Sequence, residues 1–85
     1  MFDLRLSTEA AKYYRKLSPK QTRQVNHALE TLQRDPFTSP QSKRLHGALE
    51  GSWRYRVGDL RIIYHIKLTQ RILWVETIGP RGDVY

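Results

Sequence analysis

Two periodicities divide the chain. Between residues 7 and 35 the apolar side chains recur at helical spacing, and from residue 43 onward they alternate with polar ones, as in strands that face a core on one side. Ahead of both, FDLRL at 2–6 alternates apolar and charged residues and predicts a short first strand. Ser7 follows as an N-cap, with Glu9 in the first turn set against the helix dipole. Ala10, Tyr13 or Tyr14, and Leu17 then predict a short amphipathic helix over 8–17. Ser18-Pro19-Lys20-Gln21 restarts the chain as a second helix: an N-cap serine, a proline at the first helical position and a glutamine that completes a capping box. Val25, Ala28, Leu29 and Leu32 fall at i, i+3, i+4 and i+7 and lay down one apolar stripe, and Asp35-Pro36 stops the helix.

Two amphipathic helices in a hairpin, each apolar on one side only, need a sheet to cover. Residues 36–42, PFTSPQS, form a loop with two prolines, and KRLH at 43–46 predicts a short strand or edge segment. Gly47 and Gly51 punctuate the turn that follows. Residues 52–57 and 60–66 read as strands around Gly58-Asp59, a two-residue loop with glycine first, as a type II′ hairpin prefers. RILWVETI at 71–78 is the last strand. The order is βααββββ: a single α+β domain over 1–85, with an N-terminal strand and a two-helix hairpin packed on an antiparallel-rich β-sheet.

The Gly58-Asp59 turn also sets a register. It places Val57 opposite Leu60, Tyr55 opposite Ile62 and Trp53 opposite Tyr64, and these six share an apolar face that the helices cover. The other face receives Arg54, Arg56, Arg61, Ile63 and His65, with Arg56 directly across from Arg61. Like charges so opposed destabilise a sheet by ~0.2–1 kcal/mol, and the fold gains nothing structural from them. Two readings compete: a solvated face whose arginine stems cover Ile63 and Trp74, or a phosphate site built from guanidinium groups suited to bidentate contacts. Arg81, just past the last strand in GPRGDVY, can fold back beside the other three. The last hairpin's register is expected to pair Glu76 with Arg61. Trp53 and Trp74 read as packing residues, leaving Tyr85 as the aromatic placed to stack on a base.

Composition narrows the choice. Eighty-five residues, 39% of them hydrophobic and 27% charged, suit one small globular domain. There is no cysteine, so neither a disulfide nor a zinc ribbon staples it. Fifteen Lys+Arg against eight Asp+Glu give +7, divided as +3 before Pro36 and +4 from it onward. The excess therefore belongs to the fold rather than to a tail, and it favours an anionic partner: nucleic acid, a ribonucleoprotein, an acidic peptide or a membrane surface. MFDLRLSTEAAK lacks a signal-peptide core, and no apolar run reaches the roughly 18–20 residues of a membrane span; the expectation is a cytoplasmic protein with no membrane partner. His27 lies within the second helix and His46 in KRLHG, with no carboxylate or cysteine at ligand spacing, so neither a metal nor a cofactor is expected. His65 reads either as a surface histidine without duty or as a base on the arginine face. No Gly-rich phosphate loop, G-x-S-x-G or H-E-x-x-H pattern occurs.

The string KRLHGALEGSWRYRVGDLRIIYHI followed by ILWVETIGPRGDVY resembles the RelE/ParE superfamily of bacterial toxin–antitoxin toxins, and the RelE branch in particular. The likeness spans nearly the whole chain, through L-x-G-x-L-x-G-x-W/Y-x-x-R-x-G, then Y/L-R-I/L-I/V-Y, then I/V-G-x-R ending in V-Y. It implies a ribosome-dependent endoribonuclease that cuts messenger RNA in the A site, with the 2′-hydroxyl attacking the adjacent phosphate to give a 2′,3′-cyclic phosphate and a 5′-hydroxyl. By resemblance, Arg54 and Arg56 occupy the family's basic strand, where lysines stand in the best-known member. Arg61 matches the arginine that steadies the pentavalent phosphate, Arg81 the one that helps the leaving 5′-oxygen, and Tyr85 the tyrosine that orients the base. Pro80 departs from the histidine or lysine of many relatives, and arginine, protonated below a pKa of ~12, is a poor general base. The base is then His65 or a ribosomal group, with Arg54 acting only electrostatically. The resemblance also implies an antitoxin partner with an acidic, partly disordered segment, and contact with ribosomal and messenger RNA. Two other functions fit the same fold: a ParE-type, non-enzymatic inhibitor of DNA gyrase, and a non-catalytic RNA- or ribosome-binding module.

Overall fold

The computed structural model describes residues 1–45 and 51–80. Its elements run β1 (Asp3–Leu6), α1 (Thr8–Arg15), α2 (Pro19–Arg34), β2 (Ser42–Arg44), β3 (Trp53–Val57), β4 (Leu60–Lys67) and β5 (Ile72–Pro80), the expected βααββββ order. Both helix starts form as the residue types dictate. Ser7 Oγ accepts from Ala10 N–H at 3.0 Å. At α2, Ser18 Oγ accepts from Gln21 N–H while the Gln21 side chain accepts from Ser18 N–H, closing the capping box. The first helix ends sooner than expected: Lys16 and Leu17 donate to the carbonyls of Tyr13 and Tyr14, three residues back, so the last turn tightens into the link to Ser18.

Among the described residues, five strands make one sheet in the order β1-β5-β4-β3-β2, with β1 parallel to β5 and the other pairs antiparallel. The central hairpin has the expected register, Arg56 facing Arg61 included. Gly58 takes φ +56° and Asp59 stays on the negative side, the combination a type II′ turn requires. At the other tight turn Arg71 adopts φ +55° and its N–H returns to the Leu68 carbonyl at 3.1 Å.

The helices cover one face only. Val25, Ala28, Leu29 and Leu32 of α2 and Ala10 of α1 pack against Tyr55, Val57, Leu60, Ile62, Tyr64, Leu73, Val75 and Ile78. Tyr64 is fully buried at the centre; its hydroxyl donates to the Pro36 carbonyl at 2.7 Å and lies 2.9 Å from Ser42 Oγ, tying the two-proline loop to the core. Burial away from water pushes the phenol up to about 12. Trp53 stacks on Tyr64, meets the ring of Phe37 edge-on, and carries the Arg44 guanidinium 5.7 Å from its centroid, so it is a packing residue, as expected.

The last hairpin departs from expectation. A β-bulge interrupts the β4–β5 ladder: Ile63 pairs with Thr77 but Tyr64 pairs with Val75, leaving Glu76 as the extra residue. Gly79, not Glu76, stands opposite Arg61. The extra residue lets β5 keep Val75 and Ile78 in the core despite their odd separation.

Candidate functional site

The face of the sheet turned away from the helices is where the basic side chains gather. Strand alternation and the observed register put Arg54 and Arg56 of β3, Arg61, Ile63 and His65 of β4, and Trp74 and Thr77 of β5 on this side. Lys43 of β2 joins them, directly across from Arg54, as does Arg5 of β1, across from Trp74. The arginines differ in exposure. Arg56 is exposed, Arg54 half-buried, and Arg61 retains only 5% of its accessible surface. Ile63, on the same outer face, is buried to 2%. The middle of this face is therefore not the open, solvated surface that alternation alone suggested. Arg61 and Arg54 both interact with neighbouring groups.

Beside the arginines the surface is concave. A cleft of about 260 Å³ is lined by Pro40, Gln41, Arg54 and Arg56. It adjoins a second, of about 350 Å³, that shares Gln41 and Arg56 and continues past Tyr55 to Gln24 and His27 of α2. Arg56 thus stands at the junction, reachable from both sides of the free end of β3. Pro40 and Gln41 come from the loop that Tyr64 anchors, so the core determines where the cleft wall stands.

At the other end of the face, Ser52 and Glu76 meet. Ser52 Oγ donates to Glu76 Oε2 at 3.5 Å, and Ser7 Oγ donates to the Glu76 carbonyl at 2.6 Å. His65 lies next to this pair, its Cε1 close against Gly51. No group of His, Asp or Glu among the described residues is arranged to hold a metal ion, and His27 is exposed on α2.

Of the expected site residues, the structure brings Arg54, Arg56, Arg61 and His65 onto one face. Arg81 and Tyr85 lie outside the described residues, as does His46. Lys43 and Arg5 of this face went unrecognised from sequence, although the alternation of KRLH and of FDLRL points both outward. Glu76 was expected on this face but against Arg61; its actual place depends on the bulge.

Fold and face together define a RelE-like α+β domain carrying a basic concave surface on the helix-free side of its sheet. Residues 4–85 match the family model described as the ParE toxin of the parDE type II toxin–antitoxin system, and the chain belongs to that family, within the RelE/ParE superfamily. The toxin–antitoxin complex RelBE2 from Mycobacterium tuberculosis is similar at 26% identity and a TM-score of 0.81, over 94% of this chain and 98% of that one. The intact E. coli RelBE complex superposes with a TM-score of 0.82 at 18% identity, over 96% of this chain and 99% of that one. The YoeB/ParE toxin from Agrobacterium tumefaciens reaches 0.83 at 18%, over 93% and 98%. The last two similarities establish the fold alone. No curated protein matches the sequence. No helix among the described residues is long and apolar enough to cross a membrane.

Proposed function

We propose that this chain is the toxin of a type II toxin–antitoxin system acting as a ribosome-dependent endoribonuclease, cutting messenger RNA in the A site. The observation that carries the reading is the row of Arg54, Arg56 and Arg61 on the helix-free face, with Arg56 and Arg61 directly opposed across β3 and β4. Opposed guanidinium groups converge on an anion that lies between them and bond it from two sides. A scissile phosphate is such an anion. In its transfer the 2′-oxygen attacks in line, charge builds on the equatorial oxygens, and fixed guanidinium groups stabilise it without reorganising. Arg61, buried in the middle of the face, serves as the least solvated contact; Arg56, exposed at the cleft junction, meets the incoming strand; Arg54 supports the phosphate beside it. Arg81 and Tyr85 complete the set by resemblance, as the group at the leaving 5′-oxygen and the base-stacking ring. The +7 charge draws the protein to ribosomal RNA.

An antitoxin partner belongs to this reading, since the RelBE2 and E. coli RelBE structures are toxin–antitoxin complexes. An acidic, partly disordered segment complements a basic face of this kind. The family description favours a second reading, a ParE-type inhibitor of DNA gyrase. The two separate cleanly. Purified protein added to translating ribosomes yields A-site cuts under the first reading, lost in Arg54→Ala/Arg56→Ala. Under the second, message stays whole at stoichiometric protein while gyrase supercoiling stops.

A further inference from the structure

The arginine row supplies charge but no proton acceptor, because a guanidinium keeps its proton throughout the physiological range. We propose that Glu76 is the general base of this site, the carboxylate that receives the proton of the attacking 2′-hydroxyl. The inference rests on the endoribonuclease reading above and assigns a step that the arginines leave open.

The bulge is the first observation. Glu76 is the residue inserted between Val75 and Thr77, and bulges beside active sites re-aim a side chain out of its regular direction. The insertion is pinned from the far side of the strand. Ser7 donates through Oγ to the Glu76 carbonyl at 2.6 Å and through its N–H to the Val75 carbonyl at 2.9 Å. The same hydroxyl caps α1 by accepting from Ala10 N–H. A helix start therefore fixes the backbone from which the carboxylate departs.

The second observation is where the carboxylate goes. Its Oε2 lies 3.5 Å from Ser52 Oγ, although Ser52 flanks β3 and Glu76 sits on β5, with β4 between them. Two strand spacings are roughly 10 Å, so the side chain lies back across β4, over the face that carries Ile63 and His65. Ser52 continues the ladder to β2 through its carbonyl, which accepts from Leu45 N–H, and it shares a face with Arg54, one same-face step away, roughly 7 Å. A phosphate held by Arg54 and Arg61 thus puts its neighbouring ribose within reach of Glu76. The pair is fixed yet accessible: Ser52 is buried and Glu76 half-buried. Among the described residues, the charged and titratable groups that share this face around the carboxylate include Arg54 from β3, Arg61 and His65 from β4, Lys67 from β4 with its ammonium over Trp74, and Arg5 from β1 across Trp74. Among the described residues, the other carboxylate that alternation puts on this face is Asp3, at the far end of β1 opposite Ile72.

The step balances as a transesterification. Glu76 takes the 2′-hydroxyl proton as the 2′-oxygen bonds to phosphorus. The P–O5′ bond breaks with its electron pair on the 5′-oxygen, which is protonated by water. The hydroxide so formed is neutralised by the proton Glu76 then releases, leaving a 2′,3′-cyclic phosphate and a 5′-hydroxyl.

The test measures single-turnover A-site cleavage on programmed ribosomes by the wild type, Glu76→Gln, Glu76→Ala and Ser52→Ala, with melting temperature and ribosome binding recorded for each. Glu76→Gln, nearly isosteric, is expected to slow cleavage by about 10²–10⁴-fold with binding and melting unchanged. Added formate is expected to restore cleavage by Glu76→Ala at least tenfold and to do nothing for Arg56→Ala, a rescue that a structural carboxylate does not give. Ser52→Ala, which removes the orienting hydroxyl and keeps the base, is expected to slow cleavage several-fold, and it carries the test if the Glu76 variants do not fold. Wild-type cutting with Glu76→Gln within a few-fold of it, or with Ser52→Ala at full rate and no formate rescue, overturns the assignment and leaves the endoribonuclease standing. Intact message with the wild type removes both.

Discussion

The two faces of one sheet obey opposite rules. On the helix side, Tyr55, Val57, Leu60, Ile62 and Tyr64 are buried against α2, and every neighbour gains from every other. On the far side the same strands set Arg56 opposite Arg61 and Arg54 opposite Lys43, pairs of like charge that gain nothing from each other. Alternation makes the contrast unavoidable, since each residue that feeds the core is followed by one that faces away. What differs is the demand on those residues. The inner face is chosen by packing, and its loss is felt in stability; the outer face is tolerated by the fold, and its loss should be felt in function.

The contrast breaks if changes on either side have the other side's effect. The largest stability effect is expected from Leu32→Ala, at a fully buried position of α2: about 2–5 kcal/mol by denaturant titration, with cleavage per folded molecule unchanged. Arg56→Ala should do the reverse. Cleavage falls about 10²–10³-fold, or about 2.7–4 kcal/mol of transition-state stabilisation, while the denaturation midpoint does not fall.

Alkali sharpens the inner face further. Tyr64 ionises in the unfolded chain near 10 and in the folded protein at about 12, so its contribution is complete below pH 10 and drains away as pH rises through that interval. Roughly 2–3 kcal/mol should disappear between pH 10 and 12, and Tyr64→Phe should flatten that part of the stability–pH curve. Ser18→Ala, which removes one half of the α2 capping box, should cost about 1 kcal/mol without touching cleavage. The smallest effect carries the opposite sign. Arg56→Thr relieves the repulsion with Arg61 and should raise stability by a few tenths of a kcal/mol, up to about 1, in a protein that no longer cuts.

Most of this contrast is legible in the residues themselves. Gly58-Asp59 is a turn with a single sensible register, and that register alone sorted Arg54, Arg56 and Arg61 from Tyr55, Val57 and Tyr64. Ser7 and Ser18-Pro19-Lys20-Gln21 marked both helix starts because capping is local chemistry. The failures are non-local. Nothing in WVETIG announces a bulge, whose position reflects how β5 must fit β4 on one side and parallel β1 on the other; a register without it wrongly set Glu76 against Arg61. The burial of Arg61 and Ile63 escaped for the same reason, since alternation reports which way a side chain points and not what covers it. The Ser52–Glu76 contact depends on both, joining strands that are not neighbours.

The central claim is that the helix-free face cuts RNA. Mapping the ends of a defined message on translating ribosomes tests it directly, with wild type and Arg54→Ala/Arg56→Ala at equal, folded concentrations. The account predicts A-site breaks bearing 2′,3′-cyclic phosphate with the wild type and none with the double variant. Intact message with both proteins, alongside wild-type inhibition of gyrase supercoiling, would contradict it.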